Sequence, residues 1–165
     1  ANTTNGLDPL TVQFTDTSTG NITSWSWDFN GDGVTDSTEQ NPTYTYNTSG
    51  TYTVTLTVTG PGGDNNITQI DYITVIDSTP PTVTANPVGG NYNTAQTVTL
   101  TAEDESTTTI YYTNDGTEPT NNSTQYTGPI NISTTTTLKF MAIDAAGNQG
   151  NVQTETYNIS SDIYV

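Results

Sequence analysis

Apolar and polar residues alternate along most of this chain, and no stretch repeats its apolar positions at the three-to-four-residue spacing of a helix. Over residues 10–15, Leu10, Val12 and Phe14 share one side of a strand, with Thr11, Gln13 and Thr15 on the other. Trp25, Trp27 and Phe29 are also two apart, so all three rings point to one face while Ser24, Ser26 and Asp28 form a polar back. Residues 51–59 alternate almost perfectly: Tyr52, Val54, Leu56 and Val58 face a core, and threonines, whose branched side chains suit the pleat, take the wet face. Further strands are predicted at 42–46, 67–76, 82–85, 97–102, 109–113, 130–132, 137–143 and 153–159. Turn residues separate them, among them Gly60-Pro61-Gly62-Gly63-Asp64, Asn114-Asp115-Gly116 and Ala145-Ala146-Gly147-Asn148. Residues 1–8 read as polar and turn-like, with no strand partner before residue 10. Many short strands with frequent turns predict an all-β chain of sandwiches.

Pro80-Pro81 interrupts this pattern, because consecutive prolines favour an extended, stiff backbone. The expected organisation is a sandwich over 1–77, a linker over 78–81, a second sandwich over 82–159 and a tail over 160–165.

Composition narrows the chemistry. With Lys+Arg at 1 against Asp+Glu at 17, the net charge is −16, which opposes binding to nucleic acid or to anionic lipid. There is no Cys and no His, so disulfides, thiolate metal sites and the commonest general base are missing. No apolar run approaches the ~18 residues that span a bilayer, so no membrane insertion by this segment is expected. The start carries no basic-then-apolar leader, as in a mature chain or an excised piece. Asn2, Asn21, Asn47, Asn66, Asn121, Asn122, Asn131 and Asn158 each open an Asn-x-Ser/Thr sequon. Each is a candidate glycan acceptor, although a chain so rich in Asn and Thr forms many sequons by chance, and together with the acidity and a Thr-rich surface they point to a secreted chain.

Trp27-Asp28-Phe29-Asn30-Gly31-Asp32-Gly33, followed by Asn41-Pro42-Thr43-Tyr44-Thr45-Tyr46 and Gly50-Thr51-Tyr52-Thr53-Val54, resembles the polycystic-kidney-disease (PKD) domain over residues 10–75. The resemblance implies an immunoglobulin-like sandwich used as a spacer or adhesion module outside cells, including in surface-layer proteins of methanogenic archaea. Residues 81–159 are similar to the C-terminal module of chitobiase and β-hexosaminidase, on Ile110-Tyr111-Tyr112-Thr113-Asn114-Asp115-Gly116, Tyr126-Thr127-Gly128-Pro129-Ile130 and Asp144-Ala145-Ala146-Gly147-Asn148. In those enzymes the module is an accessory, so the resemblance carries no catalytic residue over. The fold class expected is all-β, two tandem immunoglobulin-like β-sandwich domains.

Asp28, Asn30, Asp32, Gly33, Val34, Asp36 and Glu39 satisfy the spacing of an EF-hand loop, with the Val34 carbonyl at the seventh position, and hard oxygen ligands at this density favour Ca²⁺. An EF-hand needs flanking helices, whereas a tryptophan strand enters here and Pro42 soon follows. The competing reading is a turn built by Asp and Gly. Asp77, Asp104 and Asp144 could approach one another near the junction and bind an ion that stiffens the linker, but they read more simply as solvated carboxylates at loop ends. Lys139, the single cation, reads as a strand lysine extending its stem over apolar surface rather than an amide crosslink. Tyr111, Tyr112, Tyr126 and Trp25 would suit either a sugar platform or cross-strand packing.

In the tail, Ile163, Tyr164 and Val165 alternate as a strand would. If the first unit lacks its opening strand, this tail from a neighbouring copy can pair with the open edge and propagate a filament. Alternatively, the chain is one unit of a tandem array. The expected function is therefore a non-enzymatic extracellular structural protein whose partners are copies of itself or adjoining repeats. A carbohydrate-binding or adhesion module and an accessory region of a secreted enzyme are the alternatives.

Overall fold

The computed structural model describes residues 1–160, and these form strands and loops with no helix. The chain divides into two compact units between Ser78 and Thr79.

In the first unit, one sheet has the order β1 (Asn5–Leu7), β6 (Gly63–Ile76), β5 (Gly50–Gly60), β3 (Ser24–Asp28), and the second pairs β2 (Leu10–Gln13) with β4 (Thr43–Tyr46). Apart from β1 against β6, the pairings are antiparallel. The alternation seen in the sequence becomes the inner face: Val12, Phe14, Trp27, Phe29, Tyr46, Val54, Leu56, Ile73 and Val75 form one buried cluster, with Trp25 and Tyr52 half-buried against it. Its rings run in series, Trp27 to Phe29, Phe29 to Tyr44, Tyr44 to Tyr46 and Tyr46 to Tyr52, with centroids 5.8, 4.6, 4.8 and 4.6 Å apart. Tyr52 also donates its hydroxyl to the Thr48 carbonyl at 2.7 Å, closing the corner that leads into β5.

The start of the chain corrects the sequence reading. Residues 1–8 are not merely turn-like: Asn5, Gly6 and Leu7 pair in parallel with Thr74, Val75 and Ile76. Two further backbone bonds, Thr74 N–H to Thr4 and Asp8 N–H to Ile76, extend this ladder. The opening strand is therefore present, and β2 then crosses to the other sheet. Asn-Gly-Leu offers no alternation over three residues, and only a long-range partner makes it a strand.

In the second unit, a sheet with the order β11 (Thr124–Gln125), β10 (Thr108–Thr113), β13 (Thr136–Asp144), β14 (Gln153–Ile159), β8 (Gly90–Tyr92) packs on one of β12 (Ile130–Ile132), β9 (Gln96–Glu103), β7 (Thr82–Asn86). Val83, Val98, Leu100, Ile132, Leu138, Phe140 and Tyr157 fill the space between. Strand β13 is central, and Phe140, Met141 and Ala142 are buried in succession. The short β8 and β11 join the predicted strands as edges. Tyr92 repeats the corner of the first unit, donating its hydroxyl to Val88 at 2.6 Å.

Candidate functional site

Strand β3 delivers the acidic loop, and the loop closes back on β3. Trp27 N–H donates to Ser37 at 2.8 Å, and Asp36 N–H returns to Trp27 at 2.7 Å, so both ends are clamped to one residue. The carboxylates are then spent on backbone donors. Asp28 Oδ1 accepts from Gly31 and Asn30 N–H at 2.7 and 3.2 Å, and its Oδ2 from Gly33 N–H at 2.9 Å. Asp32 Oδ1 accepts from Val34 N–H, Asn30 Oδ1 from Asp32 N–H, and Asp36 Oδ2 from Phe29 N–H. Gly31 and Gly33 stand at φ 77° and 81°, the left-handed region that a side chain disfavours. Trp27 Nε1 donates to the Glu39 carbonyl at 3.0 Å, which fixes the far end.

All the sequence-predicted ligands thus share one loop, with Asp28, Asn30, Asp32, Val34, Asp36 and Glu39 on or near its rim, yet the loop is strand-bounded rather than helix-bounded. Among the described residues, Asp28, Asp32, Asp36 and Glu39 do not join any trio of carboxylates whose oxygens lie within 4.8 Å of one another.

Other candidate groups fall within one unit or the other. Asp77 in the first unit and Asp144 in the second are 8% and 6% exposed, which corrects their reading as solvated loop ends. Burial opposes the Asp144 anion, but hydrogen bonds from the Asn148 side chain and backbone and from the Gly147 and Ala146 backbone outweigh it and hold the pKa below the ordinary carboxylate value. An oxygen of Asp104 lies within 4.8 Å of one on Asp144 in the same unit. Lys139 pairs with the Glu118 carboxylate. Tyr111 and Tyr112 are neighbours on β10 and so point to opposite faces, and Tyr112 and Tyr126 pack on the core. Trp25 in the first unit donates Nε1 to Asp16 at 2.7 Å. Every sequon asparagine is exposed. Ile163, Tyr164 and Val165 lie outside the described residues.

Residues 1–75 match the PKD domain, and residues 87–154 match the chitobiase/beta-hexosaminidase C-terminal domain. The chain is a PKD domain followed by a chitobiase/beta-hexosaminidase C-terminal domain. No curated protein matches this chain. Among solved structures, the fibronectin(III)-like modules of Clostridium thermocellum CbhA align over 98% of this chain and 92% of theirs, at 15% identity and a TM-score of 0.42. The N-terminal four Ig domains of Dscam1 isoform 9.44 align over 94% of this chain at 10% identity and a TM-score of 0.52, and the chain spans 42% of that structure. The Dscam1 likeness shows the fold, two immunoglobulin-like sandwiches in tandem. Both domains are accessory modules rather than catalytic ones, and PKD domains typically occur in extracellular proteins.

In the PKD domain, Asp28 is the hub of the loop, because three N–H groups converge on its carboxylate. We expect Asp28→Ala to lower the stability of this domain by about 1–2 kcal/mol, the loss of charge-assisted bonds on a surface loop. The loss should be equal in millimolar Ca²⁺ and in chelator when unfolding is followed by tryptophan fluorescence. A penalty that appears only in calcium, and that Asp32→Ala reproduces, would make the loop a Ca²⁺ site instead.

Proposed function

We propose that this chain is a non-enzymatic structural segment of an extracellular surface layer or filament, in which copies join head to tail through residues 160–165 or follow one another as tandem repeats. The observation that carries this reading is the pairing of two complete sandwiches, each with its own buried cluster and all its sequon asparagines outside. Such modules extend a surface and leave room for glycans. The mechanism is mechanical: near the two ends of the first unit, β1 and β6 pair in parallel at Asn5↔Thr74, Gly6↔Val75 and Leu7↔Ile76, so a pull on those ends shears these bonds together.

Charge sets the conditions. At a net −16 with a single cation, copies repel one another in dilute buffer, and salt shortens the range of that repulsion to about 8 Å at physiological strength. The test is assembly of the purified chain, followed by light scattering and electron microscopy across ionic strength. Polymers that grow with salt, and that deletion of residues 161–165 abolishes, are the expected result. A chain that stays monomeric at all salts and concentrations, in an organism whose surface material contains no array of it, would overturn the reading.

A further inference from the structure

The two sheets of the PKD domain are unequal in length. Strands β2 and β4 have 4 residues each, whereas β5 has 11 and β6 has 14. The shorter sheet leaves the distal half of β6 uncovered on the side that faces inward elsewhere, while Val54 and Leu56 opposite it on β5 are buried. The register shows this directly: Asn65, Ile67 and Gln69 lie opposite Val58, Leu56 and Val54, so they share the core-facing side of the sheet. Yet Ile67 is 57% exposed, and every residue from Gly63 to Asp71 is exposed. Beside this face opens a groove of about 880 Å³, lined by Phe14, Ile22, Trp27, Leu56, Val58 and Ile67 among others.

The backbone is open at the same place. Strand β6 has β5 on one side, and on the other only β1, which pairs with Thr74, Val75 and Ile76. Among the described residues, no strand lies against the outer edge of 64–70. Two of the usual protections of such an edge are lacking, since the stretch holds no proline and no lysine. Carboxylates mark its ends at Asp64 and Asp71. At Asp71, φ is 51° and the register with β5 shifts, so the strand is bent where the covered part meets the open part. Ile70, 78% exposed, stands at that bend.

We infer that the β6 edge at 64–70, with the apolar groove beside it, is the acceptor for an extended segment that adds as a further strand, and that the occupant is the segment 161–165 of a second copy. This rests on the head-to-tail reading above and gives it a receiving surface. The tail suits the site in length and in pattern. Five residues of strand cover roughly 17 Å of an edge of about 23 Å. Added as a strand, the tail would put Ile163 and Val165, two apart, on the face beside Ile67 and Gln69 at the rim of the groove, and Tyr164 on the opposite face. Main-chain bonds to the outward N–H and C=O groups of β6 supply affinity, the Asn66 N–H exchanging its 2.8 Å bond to Asn65 Oδ1 for the incoming strand, and the two aliphatic side chains supply register. One acceptor and one donor per chain give a contact that propagates instead of closing.

The experiment uses the full chain, which has no cysteine, so introduced thiols are unique. Ile67→Lys, at a position already exposed, should leave the unfolding transition in place and weaken assembly about tenfold or more, from the lost burial of one aliphatic side chain and the charge put in its place. Mixing a Gln69→Cys preparation with an Ile163→Cys preparation should yield a disulfide-linked pair between the two under oxidation. Polymers that form normally from Ile67→Lys, with no such disulfide, would overturn the acceptor while head-to-tail assembly stands. Gln69→Cys chains that link only to one another would show two β6 edges pairing, and so overturn the occupant. No polymer from the unaltered chain would overturn both this inference and the head-to-tail joining it rests on, and leave the tandem-repeat form of the reading standing.

Discussion

Replacing Phe29 by alanine should lower the stability of the PKD domain by about 3–5 kcal/mol, a large part of the ~5–15 kcal/mol that holds a domain of this size together. Phe29 is 1% exposed, with ring neighbours Phe14, Trp27 and Tyr44 at 4.7, 5.8 and 4.6 Å. Its backbone is engaged as well, since its N–H donates to Asp36 Oδ2 at 2.7 Å and its carbonyl accepts the Tyr46 hydroxyl at 3.0 Å. The substitution therefore leaves a cavity between Trp27 and Tyr44 in the ring series, where β3 hands over to the acidic loop. Burial keeps the neighbouring Tyr46 protonated well above its ordinary pKa, aided by the Tyr44, Asp36, Tyr52 and Asp28 charges, so that hydroxyl has no favourable ionised state in which to relax. Both tryptophans, Trp25 and Trp27, belong to this domain, so tryptophan fluorescence reports its unfolding alone. The expected shift in its midpoint is roughly 15–25 °C, and calorimetry should still show the transition of the second domain, whose buried cluster is its own. An unmoved fluorescence transition would mean that the ring series closes over the gap.

How far the sequence carried depended on whether a residue's role was local. Tyr52, Val54, Leu56 and Val58 announced an inner face by period alone, and the structure buries Val54 and Leu56 and half-buries the other two. Trp25, Trp27 and Phe29 were legible for the same reason. Strand β1 was not, because Asn5, Gly6 and Leu7 owe their extended form to Thr74, Val75 and Ile76, far along the chain. The same holds for β8, which exists through Tyr157, Asn158 and Ile159.

The candidate sites divide in the same way. Spacing placed Asp28, Asn30, Asp32, Asp36 and Glu39 together, but could not say that the backbone itself would fold onto Asp28. Burial of Asp77 and Asp144 depends on elements that no local pattern links. The open edge of β6 did leave a trace: counting back by twos from the buried Val75 and Ile73, the inward positions fall on Asp71 and Gln69, both polar, and Ile70 falls on the other face.

Gly89→Ala should destabilise the chitobiase/beta-hexosaminidase C-terminal domain by about 3 kcal/mol, the upper range for inserting a carbon where none fits. A Cβ there would lie 2.7 Å from the Thr156 nitrogen and 2.8 Å from the Thr156 oxygen, both backbone, and 2.6 Å from Glu155 Oε2. A carboxylate can swing away, but the middle of a paired strand cannot. Gly89 also donates its N–H to that same Glu155 oxygen at 2.5 Å, and it immediately precedes β8, whose Gly90 pairs with Tyr157 in parallel. Pushing β8 outward would separate Tyr92 from its stack on Tyr157, now 6.1 Å between centroids, and break the 2.7 Å bond from the Tyr157 hydroxyl to Pro87. Two readouts follow from this one displacement. The calorimetric midpoint of this domain should fall by roughly 10–20 °C, and Tyr157, raised to about 12 by burial first and by Glu155 and Tyr92 next, should titrate nearer the ordinary 10.0 in a spectrophotometric titration. If neither moves, strand β14 has enough freedom at Thr156 to yield, and the close approach of the two backbones is not what holds β8 in place.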